Sequence, residues 1–247
     1  MSLFFSILLA LVPGFFWTWY YLRADKARPE PLRLIGAVFL WGALSTIPAI
    51  AIEFGLDNFL NYSSSSEFSV IVASTLFIIA PVEELLKYLV IREVVIRNPA
   101  FDEPIDAILY AVVAALGFAT FENILVAITE GQEAVLLRFA TATLLHAIAT
   151  GIVGYHLAMA RFSDDKRKGW IFQGLSVAII LHALYNIIAS TDTALTMWLI
   201  AILLVTMFVL LARGMKEVRT LGVLPQSKAT NSQLSTTPSS PDDPMLN

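Results

Sequence analysis

Seven stretches of predominantly apolar residues, separated by short polar connections, constrain this chain more than any other feature. A hydrocarbon core about 30 Å thick is crossed by roughly 20 such residues in a helix rising about 1.5 Å per residue. The stretches run from Leu3 to Leu22, Leu34 to Phe54, Phe68 to Ile91, Ile105 to Ile128, Leu136 to Ala160, Trp170 to Ser190 and Ala194 to Ala212. A soluble domain averages about 45–50% apolar and about 25% charged residues. This chain is 57% hydrophobic and 15% charged. The expected fold class is therefore all-α, a polytopic transmembrane helix bundle.

Charge in the connections predicts the orientation, because lysine and arginine accumulate on the cytoplasmic side. Arg23, Lys26, Arg28 and Arg33 follow the first stretch, Arg92 and Arg97 the third, Arg161, Lys166, Arg167 and Lys168 the fifth, and Arg213, Lys216 and Arg219 the last. The alternate connections carry Asp57 and Glu67, then Glu130 and Glu133, then Asp192, with Arg138 as the lone basic residue at their edges. The N-terminus is thus expected outside and the C-terminus in the cytoplasm. The first stretch lacks a basic n-region and ends in the aromatic run Phe15 to Tyr21, so it reads as a retained span.

Residues 1–215 are expected to form a transmembrane catalytic domain, and residues 216–247 a cytoplasmic tail. Beyond about Gly222 the tail is rich in Ser, Thr, Pro, Asn and Asp, too polar to bury a core, and disorder is expected there. The chain has no cysteine, which excludes disulfides, thiolate ligands and a cysteine nucleophile. No basic cluster interleaved with aromatics points to nucleic acid.

Ionisable groups are rare inside spans because each costs at least about 2.5–3.5 kcal/mol to insert. Here they are concentrated. The third span holds Glu83, Glu84 and Lys87 after Pro81; the fourth holds Glu122 and Asn123; the fifth holds His146; the sixth holds His182 and Asn186. Counting the helical rise, Glu83 lies about 13 Å in from Arg92, His182 about 18 Å in from Trp170, and His146 and Glu122 each about 12 Å in from the opposite edge. Four spans therefore deliver polar groups to one layer near the bilayer midplane. Glu83 and Lys87 share a helix face, as do His182 and Asn186, so Asn186 is expected to orient the imidazole or donate to an oxyanion.

Glutamates and histidines in a dry layer suit peptide hydrolysis, which needs an activated water, a base and oxyanion stabilisation. Carboxylates and imidazoles can hold a zinc ion that activates water, with a second carboxylate as base. A metal-free mechanism with a glutamate base uses the same residues. No His-Glu-x-x-His or Gly-x-Ser-x-Gly element is present, which excludes the common zincin signature and gives no support to a serine hydrolase.

The order Glu-Glu-x-x-Lys, Phe-x-x-x-Glu, His-x-x-x-x-Gly and His-x-x-x-Asn resembles the PrsW family of intramembrane proteases, distant relatives of the CAAX prenyl endopeptidases. The motifs fall on Glu83, Glu84 and Lys87; on Phe118 and Glu122; on His146 and Gly151; and on His182. Asp25, the segment Arg28-Pro29-Glu30-Pro31 and Asp106 are also similar to the family's pattern. Asn186 stands where the family often has Asp, and Asn is what the CAAX relatives carry. The resemblance implies an intramembrane endopeptidase with Glu83, Glu84, Glu122, His146, His182 and Asn186 as catalytic residues and Glu122, His146 and His182 as zinc ligands. It implies a membrane-anchored protein substrate of the anti-sigma-factor type, cut in a bacterial inner membrane before a second intramembrane protease acts.

Competing expectations are a CAAX-type protease, which a histidine at position 122 would favour, a proton-coupled transporter and an inactive scaffold. Lys87 reads as structural or as snorkelling to the cytoplasmic interface. Only one of the adjacent pair Glu83 and Glu84 is expected to aim at the centre. His156, nearer the cytoplasmic edge, reads as structural, and Glu122 alone could be held protonated by Asn123.

Overall fold

Inside lipid every backbone polar group must find its partner within the chain, and apolar segments of this length do so as helices. The computed structural model describes residues 3–23, 29–163, 169–191 and 193–223, and among them there is no strand. Eight helices follow one another: α1 (Leu3–Leu22), α2 (Leu32–Leu60), α3 (Phe68–Val95), α4 (Pro104–Thr129), α5 (Gln132–Ala140), α6 (Ala142–Phe162), α7 (Trp170–Ala189) and α8 (Thr196–Val223). With α5 and α6 taken together, seven helical segments are long and apolar enough to cross a membrane, in agreement with the seven stretches read from sequence. Asp25, Lys26 and Arg28, the loop residues Lys166, Arg167 and Lys168, Asp192 and the tail beyond residue 223 lie outside the described residues.

The centre of the bundle is α4, buried continuously from Pro104 to Thr120 and packed against α1, α2 and α6. Helices in lipid gain little hydrophobic free energy from meeting one another, so close approach through small residues supplies the attraction. Two glycines show how close. A Cβ on Gly117 of α4 would lie 2.0 Å from the Phe39 carbonyl oxygen of α2, and one on Gly154 of α6 would lie 2.5 Å from the Ala107 carbonyl oxygen of α4. Neither position has room for a side chain.

Three helices depart from the sequence expectation in ways that position the site. In α3, π-helical turns at Thr75–Ile79 and Ile91–Val95 flank the α-helical segment Ala80–Val90. Pro81 has no N–H to donate and its ring crowds the carbonyl four residues back, and the wider turn just before it absorbs that conflict. The fifth span is not one helix from Leu136 to Ala160. It breaks at Thr141, whose φ of −119° and ψ of −92° are not helical. The last span runs past its expected end at Ala212 to Val223.

Gly117→Val is expected to force α2 away from α4 and destabilise the purified protein by about 1–3 kcal/mol, as overpacking does. Gly36→Ala, where a Cβ meets nothing within 4 Å, should leave the melting temperature in detergent unchanged.

Candidate active site

The segment after Pro81 turns three ionisable side chains into the bundle. Glu83, Glu84 and Lys87 are all buried, Glu84 and Lys87 completely, at 0% exposure. Lys87 therefore does not snorkel, and three partners take its charge instead. Its Nζ donates to Glu83 Oε2 at 3.0 Å, to Glu84 Oε1 at 3.0 Å and to His146 Nδ1 at 2.8 Å. Nor does only one of the adjacent glutamates face the centre. Both do, because a lysine three and four residues on draws the two carboxylates towards itself.

The two buried histidines come from α6 and α7 and meet edge to face, with ring centroids 4.9 Å apart. Glu83 Oε2 lies 3.7 Å from His146 Nδ1 and 3.8 Å from His182 Nε2. The remaining nitrogen of each ring is held by another carboxylate: His146 Nε2 by Glu122 Oε2 at 2.9 Å, and His182 Nδ1 by Glu84 Oε1 at 2.9 Å. Since Lys87 can only donate to His146 Nδ1, the ring proton of neutral His146 sits on Nε2 and points at Glu122.

Glu84 is saturated. Besides Lys87 and His182 on Oε1, its Oε2 accepts from Thr150 Oγ1 at 2.8 Å. Glu122 is different: its side chain is 23% exposed, and Oε2 also accepts from Arg138 Nη2 at 2.9 Å. Arg138 Nε donates to Asn123 Oδ1 at 2.7 Å, and Asn123 Nδ2 donates to Thr143 Oγ1 at 3.0 Å. Glu122 is thus held by an arginine rather than by Asn123.

Five of the six expected catalytic residues, Glu83, Glu84, Glu122, His146 and His182, form one connected cluster with Lys87. The sixth does not join it through His182, since the partner of His182 Nδ1 is Glu84 and not Asn186. The trio whose donor atoms all lie within 4.8 Å of one another is Glu83, His146 and His182, where sequence reading had Glu122 in place of Glu83. Glu122 is on the far side of the His146 ring from that trio. His156 stands apart, with Nδ1 on the Ile152 carbonyl at 2.9 Å and its ring against Trp170. Asp106 and Glu30 also lie elsewhere: Asp106 Oδ2 caps the start of α4 by accepting from the Asp102 and Glu103 N–H groups, and Glu30 accepts from Tyr110.

Sequence reading missed Arg138, Thr150 and Thr143. The signals were slight: Arg138 is the lone base on an acidic side, and Thr150 is one helical turn beyond His146.

A family model described as "PrsW family intramembrane metalloprotease" matches residues 30–212, a region that contains every member of the cluster. The chain belongs to the PrsW family. Among curated PrsW relatives, each named "Protease PrsW", one from Oceanobacillus iheyensis is 33% identical over 180 residues, covering 73% of this chain and 80% of that protein. One from Bacillus subtilis is 33% identical over 197 residues, 79% of this chain and 86% of its own length. A third, from Clostridioides difficile, is 29% identical over 213 residues, 82% and 85% of the two chains. No solved structure matches the chain. Family membership and the seven apolar helices make it a multi-pass bacterial membrane protein.

Glu84→Ala would strand donors from Lys87, His182 and Thr150 in a dry interior. Its expected cost is about 3–5 kcal/mol, the range for removing one partner of a buried ion pair. Glu122→Ala, at a partly exposed site, should cost less. Melting temperatures of the two purified variants would check the order.

Proposed function

We propose that this PrsW-family chain is a zinc-dependent intramembrane endopeptidase. Its substrate is a membrane-anchored protein, a regulator of the anti-sigma-factor type, cut at the Glu/His cluster within the inner membrane. One observation carries the site: Glu83, His146 and His182 converge, and the outward nitrogen of each histidine is held by a separate carboxylate. Histidines that bind metal are oriented in this way by partners behind them.

The residues present fit a zinc ion. Tetrahedral zinc with bonds of about 2.0–2.1 Å separates neighbouring ligand atoms by about 3.4 Å. Glu83 Oε2 is 3.7 and 3.8 Å from the two ring nitrogens and all three donor atoms lie within 4.8 Å of one another, so the trio would draw together around the ion. A set of imidazole and carboxylate with no thiolate suits zinc. The Lys87 ammonium, in contact with Glu83 Oε2 and His146 Nδ1, already serves as a cation there. When bound, the metal would polarise the scissile carbonyl and lower the pKa of water at the site towards about 7.

The chain's own groups take the remaining roles. Glu122 and Glu84 fix the ring orientation of His146 and His182, and Thr150 fixes Glu84. The proton of the attacking water must go to a carboxylate. Glu84 has both oxygens occupied by donors, and Glu83 belongs to the ligand trio. Glu122 is the carboxylate that remains, partly exposed and paired with Arg138, and because it stands behind the His146 ring it would receive the proton through one bridging water. Relative to the sequence expectation, Glu83 takes the ligand place given there to Glu122.

The test is metal content by elemental mass spectrometry together with cleavage of a membrane-anchored reporter. Wild type should carry about one zinc per chain, and Glu83→Gln, His146→Ala and His182→Ala should each lose it together with cleavage. Glu122→Gln keeps an acceptor for His146, so it should retain the metal while turnover falls by about 10²–10⁴-fold, the range for a lost general base. Full cleavage by any two of the Glu83, Glu122, His146 and His182 variants would overturn the site.

A further inference from the structure

Lys87 has no role in the reaction derived above, yet it is the most centrally placed charge in the cluster. Its Nζ lies 3.0 Å from Glu83 Oε2 and 2.8 Å from His146 Nδ1, two of the three atoms assigned to the metal. Those two atoms are themselves only 3.7 Å apart. A zinc ion about 2.0–2.2 Å from each would fall into the space the ammonium fills, and two cations cannot share it.

A second position for the ammonium already exists. Nζ also donates to Glu84 Oε1 at 3.0 Å, and it stands 4.3 Å from the centroid of the Phe118 ring, on its face. Glu84 and the ring are outside the ligand trio. A lysine drawn back onto them keeps a carboxylate partner and a cation–π contact while it releases Glu83 and His146. The flexible four-carbon stem permits such a shift, which a guanidinium with its broad planar head would not.

We infer that the Lys87 ammonium and the metal ion are alternative occupants of one position, so that Lys87 acts as an internal counter-ion that the metal must displace and that sets the site's metal affinity. The inference rests on the Glu83, His146 and His182 ligand set proposed above. It makes Lys87 a positioning residue: it holds two carboxylates and an imidazole together in a dry interior until the metal takes over that task. By linkage, removing one competitor strengthens the other.

The experiment uses the full-length protein in detergent, with zinc affinity read by competition against a chelator of known strength and melting temperature read with and without zinc. Lys87→Met, of similar length and uncharged, is expected to bind zinc about tenfold or more tightly than wild type. Without zinc it should melt below wild type, because Glu83 and Glu84 lose their cation; with zinc the deficit should shrink or vanish. Lys87→Arg, which keeps the charge but cannot withdraw as freely, should bind zinc more weakly than wild type, and it serves as the readout if Lys87→Met does not fold.

Equal or weaker zinc affinity in folded Lys87→Met would overturn the inference, as would wild-type or tighter affinity in Lys87→Arg when that variant alone folds. Adding His182→Ala separates the two levels. Loss of zinc in both the wild-type and the Lys87→Met background upholds the ligand set whatever Lys87 does. Zinc retained in both backgrounds overturns the ligand set and the Lys87 inference together. A zinc-binding Lys87→Met beside a wild type that binds none supports the exclusion in its strongest form, and no binding by either overturns it.

Discussion

An ionised group inside a bilayer must be neutralised by the chain itself, and the site is organised around that requirement. Glu83, Glu84 and Glu122 confront Lys87 and Arg138, three carboxylates against two cations, and both central histidines have each ring nitrogen next to a charged partner. Burying charge costs far more than exposing it unless hydrogen bonds satisfy every lone pair and proton. The geometry meets this with few groups, since Glu84 alone accepts from three donors on three helices. Stability and the proposed chemistry therefore draw on the same atoms.

Such a network needs a scaffold that holds four helices at fixed separations. Small residues on α4 and α6 supply it. With Gly117 against the α2 backbone and Gly154 against the α4 backbone, the helices meet at distances that larger side chains would prevent. A packed core has discrete arrangements rather than a continuous range, and that keeps Glu122 of α4 within 2.9 Å of His146 of α6.

The bundle and the polar layer were legible in sequence because both follow from one-dimensional quantities, the length of an apolar run and the count of residues from its edge. The family's motif order added which of those polar residues belong together. Rotation about each helix axis was not legible. Depth counting could not say that Glu83 rather than Glu122 faces both histidines, since that depends on the turn α3 takes around the π-helical segment ahead of Pro81 and on how α4 is rotated against α6. For Lys87 the spacing left two readings, structural or snorkelling; its two glutamate partners lie three and four residues back on its own helix, and only the neighbouring helix reveals the third, His146. Arg138 was read only as a residue at the membrane edge, because counting along a continuous span places it there, whereas the break at Thr141 puts it on a separate helix.

That break has a consequence for motion. Glu122 Oε2 receives one contact from Arg138 on α5 and one from His146 on α6, each at 2.9 Å. The two helices are joined only through Thr141, and α5 is tied to the first span by Trp17 Nε1 donating to the Phe139 carbonyl at 3.0 Å and by the neighbouring rings. The two contacts of that one oxygen therefore depend on the angle between α5 and α6, and α5 is itself held by the first span. Glu122 is in this way connected, through Arg138 and Phe139 of α5, to the N-terminal helix at the periphery of the bundle.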